Sequence, residues 1–177
     1  FRCETAPVAN NPEFKDLAAK FAEAAVTASS DLTPDAVLAQ AAPGVAGRTC
    51  KDLLTDLVNK IRENMQLKRV EKLKGRLGSY VHFNGKIGVL LQVEGNAADE
   101  LLADLCMHIT AMKPMALKRE DIDAAIVEKE KEIAAELIKA SGKPANMIDK
   151  IVVGKMNRWF SERVLLEQEF ANADKFK

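Results

Sequence analysis

Two extended segments joined by a tight turn are written into residues 77–93, where Asn84-Gly85 separates two runs of β-forming residues. Asn and Gly both tolerate positive φ, which a two-residue type I′ hairpin turn requires. Extended segments are therefore expected at 77–83 and 86–93, with a third just upstream at 65–72. Together they predict a three-stranded antiparallel meander. Such a sheet must cover one face with helices, so the fold class is α+β rather than a βαβ arrangement.

The rest of the chain reads as helix. Asn11-Pro12-Glu13 predicts a helix start, because Asn caps a free amide, Pro is tolerated in the first turn and Glu favours the positive end of the dipole. Phe14, Leu17, Ala18, Phe21 and Ala25 then recur at helical spacing to about Ala28. Thr33-Pro34-Asp35 opens a short helix through Val37, Leu38 and Ala41, ended by Pro43-Gly44. Thr49 opens a third, with Leu53, Leu54, Leu57, Val58 and Ile61 on one face. Beyond the meander, Asn96 is the expected cap of a helix whose stripe is Leu102, Leu105, Ile109 and Met112, running until Pro114.

From about Asp123 a longer helix carries Ile126, Ile133, Leu137 and Ile138 and stops at Ser141-Gly142-Lys143-Pro144, and a further one carries Ile148, Ile151, Val152, Met156, Trp159 and Phe160. Two helices of roughly 18 residues, each about 27 Å long, joined by a short Gly-Pro turn must lie antiparallel. The solvated run Glu128-Lys129-Glu130-Lys131-Glu132 makes a protruding coiled-coil arm the expected form. The spacing Phe14, Leu17, Phe21 returns in Leu102, Leu105, Ile109, a faint internal echo that hints at two related halves. The chain accordingly divides into 1–58, the helical part of an N-terminal half; 59–120 with 165–177, a C-terminal half bearing the meander; and 121–164, the hairpin.

At 177 residues and 47% apolar content the chain is long enough to bury its own core, as one domain or two small halves. Its 26 basic and 26 acidic residues cancel, leaving no global field to steer it onto nucleic acid or an anionic membrane. No apolar run approaches the ~20 residues that span a bilayer. Cys3, Cys50 and Cys106 are odd in number and far apart, which suggests neither a disulfide framework nor a zinc site and fits a reducing compartment. A start at Phe1 without methionine is read as part of a longer protein.

Catalytic chemistry finds little to work with. Cys106 and His108 lie two apart on one helix and do not face each other, so His108 is expected as a packed helix residue and Cys106 as a small core residue. Cys50, in the first turn of a helix, is a thiol whose pKa the dipole could lower, but it has no partner. The glycines Gly75, Gly78, Gly85 and Gly88 have the spacing of strands and turns, not of a phosphate loop, so nucleotide is not expected to bind directly. The basic run Lys68, Arg69, Lys72, Lys74, Arg76 reads as a solvated edge strand. His82, pointing opposite to Val81 and Phe83, is expected on the sheet's open face or rim. No cofactor and no metal are expected.

Several segments together resemble the elongation factor Ts family, guanine-nucleotide exchange factors of EF-Tu. Cys3-Glu4-Thr5 with Val8-Ala9-Asn10 and Glu13-Phe14 is similar to that family's C-E-T-D-F-V-A-x-N-x-x-F signature. Lys60-Ile61-Arg62-Glu63-Asn64 resembles its K-I-G-E-N, and Gly78-Ser79-Tyr80-Val81-His82 with Ile87-Gly88-Val89-Leu90 resembles its G-S-Y-x-H and I/V-G-V-L strand pair. Met107-His108-Ile109 resembles its M-H-I-A helix. Val127-Glu128-Lys129-Glu130, Ser141-Gly142-Lys143-Pro144, the run from Ile148 to Met156, and Leu165-Leu166-Glu167-Gln168 are similar to its helical arm and the segment C-terminal to that arm.

The resemblance implies two related α+β halves, a coiled-coil hairpin and a ubiquitin-associated-like helical module ahead of Phe1. It implies exchange without covalent chemistry, hence no enzyme, in a bacterial cytoplasm or, alternatively, an organelle. It implies EF-Tu as partner and allows a homodimer. In the family the Asp-Phe of T-D-F-V enters the EF-Tu GTPase domain near its Mg²⁺ and phosphate region, while the I-G pair and the strand histidine contact EF-Tu elsewhere. Carried over, the partner-binding residues are Thr5, Ala6, Pro7, Val8, Ile61, Arg62 and His82. Two positions depart from the family: Ala6-Pro7 stands for Asp-Phe, and Arg62 for Gly. The alternative is a scaffold that binds EF-Tu with weak or no exchange.

Overall fold

The computed structural model describes residues 1–28, 32–141 and 144–176. Gly142 and Lys143 of the expected hairpin turn lie outside these. The chain divides into two units, Phe1–Gly75 and Arg76–Lys177.

The first unit is helical among its described residues: α1 (Ala6–Asn10), α2 (Pro12–Thr27), α3 (Pro34–Ala39) and α4 (Cys50–Ile61). Three of the four begin as their sequences dictate. The Asn11 side chain accepts from the Glu13 N–H, Thr33 accepts from Ala36, and Thr49 and Asp52 cap each other's amides reciprocally. Helix α3 is shorter than expected and ends at Ala39, and α1 is a helix that residue spacing does not announce. Phe14, Leu17 and Phe21 of α2 bury against Val37, Cys50 and Leu57. Phe1 joins this core by stacking on Phe14, with ring centroids 4.2 Å apart and planes 9° from parallel.

In the second unit β1 (Arg76–Val81) pairs antiparallel with β2 (Gly88–Val93), with Ser79 opposite Leu90. Among the described residues this sheet has two strands rather than the expected three. Residues 65–72 contribute a single bridge, in which Gln66 and Arg2 exchange both backbone hydrogen bonds at 2.9 and 3.0 Å. The physical reason is burial: Met65 is fully inside the core of the first unit and Leu67 and Val70 pack on it, so the segment follows its apolar side chains rather than a sheet edge. Of the basic run only Arg76 enters a strand, as the first residue of β1, and Lys68, Arg69, Lys72 and Lys74 lie outside the strands. Lys72 donates to the carbonyls of Val26 and Ala28, and Arg69 pairs with Glu71.

The hairpin forms where Asn84-Gly85 places it, but not with a type I′ turn. Only Gly85 of the pair takes a left-handed φ, 67°. The Gly85 N–H donates to the His82 carbonyl at 2.8 Å, and the Asn84 side chain accepts from the Lys86 N–H. The result is a longer loop in which one glycine supplies the left-handed residue.

Helix α5 (Asp99–Met112) covers one face of the sheet, burying Leu102, Cys106 and His108. Its start is not capped by Asn96. Arg76 of β1 reaches across to donate to the Ala97 carbonyl and the Asp99 carboxylate, so a tertiary contact fixes the helix entry. Helices α6 (Ala124–Ala140) and α7 (Ala145–Arg163) pack along each other and bury Ile138, Val152, Met156 and Trp159. Of the expected α6 stripe, Ile126, Ile133 and Leu137 stay substantially exposed, while Ala134 is buried. The base of this pair is closed by Met115 and Leu165, which bond to the backbones of Arg163 and Ala116. Arg119 lies 4.4 Å over the Phe160 ring and forks onto the Glu167 carboxylate.

Candidate functional site

Six of the seven expected site residues lie in the first unit, and one of them, Thr5, is bonded to a carboxylate that follows two others, Ile61 and Arg62, in the chain. Helix α4 is capped at its C-terminal end by Arg62, whose backbone is left-handed at φ 64° and ψ 32° and whose N–H donates to the Val58 carbonyl at 2.8 Å. This turn leads into Glu63, whose Oε2 accepts from the N–H of Glu4 at 2.9 Å and of Thr5 at 3.0 Å. Its Oε1 accepts from the Thr5 hydroxyl at 2.6 Å. The Thr5 hydroxyl holds the carboxyl below its ordinary value of 4.5, and the two backbone amides add to this.

Thr5 is the residue before α1, yet its side chain makes no cap bond within the helix, since its hydroxyl is given to Glu63. Ala6 and Pro7 form the first turn of α1 and are exposed, while Val8 is buried against the core. Residues 5–8 thus make a short lip, fastened in front by Glu63 and behind by Val8. Ile61 packs its side chain partly into the core, and Arg62 is exposed beside the lip. Glu63 stands inside a family-like motif but is not among the residues that the sequence singles out. Its available signal is its position directly after a helix end.

His82 belongs to the second unit. Its Nδ1 lies 3.1 Å from the Tyr80 hydroxyl, and its ring lies 4.4 Å from that of Phe83. Of the two expected places, open face or rim, it takes the rim, directly after the last residue of β1 and on the side of the sheet that α5 covers. Gly78 faces α5, strand alternation puts Tyr80 on the same side, and His82 is bonded to Tyr80. The open side instead carries Val81, with Phe83 almost wholly exposed in the turn.

The other candidates are structural. The Ala171 N–H donates to His108 Nδ1 at 3.1 Å, so the ring proton resides on Nε2 and is donated to Gln168 Oε1, also at 3.1 Å. The Gln168 amide nitrogen donates in turn to the Met112 and Glu162 carbonyls, which fixes its orientation. His108 therefore ties the segment after α7 onto α5, and its neighbour Cys106 is fully buried. Cys50 does not have the lowered pKa that its place in a first helical turn suggests. Burial raises it, as it raises Cys106, because the thiolate has no counter-charge to offset desolvation.

A groove of about 430 Å³ between α2 and α4 is floored by Leu17, Val45, Leu53 and Leu57. All five of its charged side chains are already paired, Glu13 with Lys60 at 2.8 Å, Asp16 with Lys20 at 3.8 Å and Asp56 with Arg48 at 2.6 Å. No group of three His, Cys, Asp or Glu side chains among the described residues is arranged to hold a metal ion. No helix among them is long and apolar enough to cross a membrane.

The lip is, in chemical terms, a shaped and clamped surface. Comparisons with known proteins agree with the motifs that frame it. Elongation factor Ts of Dinoroseobacter shibae is 43% identical over 173 residues, which cover 94% of this chain and 57% of that protein. Elongation factor Ts of Methylobacillus flagellatus is 41% identical over 175 residues, covering 97% and 58%. That of Hydrogenobaculum is 38% identical over 174 residues, covering 98% and 63%. The chain thus spans about three fifths of the length of these relatives. The sequence profile of the family described as Elongation factor TS matches residues 4–177, and the chain belongs to that family.

Proposed function

We propose that the protein is a guanine-nucleotide exchange factor for EF-Tu in translation elongation, working in the bacterial cytoplasm. It acts by differential affinity: it binds the nucleotide-free form better than the GDP form and, by reciprocity, weakens GDP. The lip at residues 5–8 is the element that presses on the partner, with Ile61 and Arg62 docking beside it and His82 providing a contact from the second unit. The observation that carries this reading is the family match over residues 4–177, joined to a lip that is clamped and exposed at Ala6 and Pro7. No bond is made or broken by the protein. Co-purification of the full chain with EF-Tu tests it: retention by emptied EF-Tu and weak retention by EF-Tu·GDP are expected, and equal retention by both would refute exchange.

A second reading is favoured by the lip's own residues. Ala6-Pro7 brings neither carboxylate nor aromatic ring to the partner, which suits a scaffold that holds EF-Tu without emptying it. Replacing the pair with Asp-Phe then raises GDP release sharply. An unchanged rate in the Ala6→Asp, Pro7→Phe variant excludes that explanation.

A further inference from the structure

We infer that Glu63 is a positioning residue for the lip at residues 5–8, presetting its shape before the partner arrives; this rests on the docking role proposed above. The carboxylate takes three donors from two adjacent residues, the N–H groups of Glu4 and Thr5 and the Thr5 hydroxyl, at 2.6 to 3.0 Å. Three bonds from one rigid acceptor pair fix both the backbone and the side chain of Thr5, which no single bond does. The acceptor itself is aimed by the left-handed turn at Arg62. Buried Val8 holds the other end of the lip, so the two exposed residues between, Ala6 and Pro7, have little freedom left. A surface ordered in advance loses less entropy on docking, and that gain shows as affinity.

The chemistry separates charge from geometry. One oxygen, Oε2, takes both backbone N–H groups, while Oε1 meets only the hydroxyl. In Glu63→Gln the amide oxygen can keep both backbone donors, and the amide N–H can donate to a hydroxyl that now accepts. Glu63→Ala removes all three bonds. Thr5→Val removes one.

The test compares these variants in the full chain by GDP release from EF-Tu and by amide hydrogen exchange. Glu63→Ala is expected to raise the protein concentration for half-maximal release by about tenfold while leaving the rate at saturation near that of the parent. Exchange at Glu4 and Thr5 accelerates and the core amides of α2 and α4 keep their protection. Glu63→Gln restores both readouts, and Thr5→Val lies between. Unchanged exchange at Glu4 and Thr5 in Glu63→Ala overturns the inference, as does a loss of protection spread evenly over α2 and α4. If the parent protein itself fails to accelerate GDP release, the proposed function falls. The exchange pattern at Glu4 and Thr5 then still decides whether Glu63 positions the lip.

Discussion

Gly78 of β1 lies so close to α5 that a β-carbon added to it would stand 2.9 Å from the Leu102 Cβ and 3.2 Å from the Cys106 sulfur. The glycine is therefore required by the approach of strand to helix, not by an unusual φ. Gly78→Ala must push the helix off the sheet, and the expected loss is about 1–3 kcal/mol, the usual range for overpacking. Chemical denaturation of the two proteins checks it. Equal midpoints would mean that the strand and helix are further apart than described.

Arg62 holds a left-handed conformation at the end of α4, where a side chain beyond Cα is disfavoured and glycine is the usual choice. Arg62→Gly is expected to stabilise the protein by up to about 1 kcal/mol, and Arg62→Val to destabilise it by more, since a β-branched residue fits this region worst. Thermal melts of the pair settle the order.

Acid should weaken both units. Glu63 is held below its ordinary 4.5 by the Thr5 hydroxyl, Glu167 by Arg119, and Asp52 below 3.8 by the amide and hydroxyl of Thr49. A carboxyl with a depressed folded-state pKa adds stability that is fully present above its unfolded value and is lost as pH falls through the folded one. Stability is thus expected to be flat at neutral pH and to fall below about pH 4.5. A Glu63→Gln, Glu167→Gln protein, with two fewer such groups, should lose less between about pH 5 and 3 than the parent does. Melting temperature against pH reads this directly, and parallel curves would contradict the assigned hydrogen bonds.

The three thiols should differ in reactivity. Cys50 and Cys106 are fully buried and their pKa values are raised by desolvation, whereas Cys3 is only half-buried. Alkylation at neutral pH, read by mass spectrometry, is expected to modify Cys3 first, and the other two only with unfolding. Cys3 reacts slowly for a surface thiol, because desolvation and the neighbouring Glu63 charge both raise its pKa. Early labelling of Cys50 would contradict the packing around it.

Short-range chemistry is the part of this fold that is legible in the sequence. Asn11, Thr33 and Thr49 each make the cap bond that their neighbours imply, because donor and acceptor lie within three residues. Failures occur where a distant group intervenes. Arg76 sets the α5 entry in place of Asn96, and the first unit's core draws Met65, Leu67 and Val70 away from a third strand. Asn84-Gly85 marks the hairpin correctly, but the loop uses one left-handed residue instead of two. At the candidate site the motif residues are visible singly. The bond that unites them, Thr5 to Glu63, spans 58 positions, and no periodicity or spacing rule reaches that far.

Release of labelled GDP from EF-Tu, monitored in time with and without the full chain, bears most directly on the account. Acceleration that saturates with added protein, and is weakened when Glu63 becomes Ala, is the predicted result. A GDP release rate that stays the same at every concentration of the protein would contradict it.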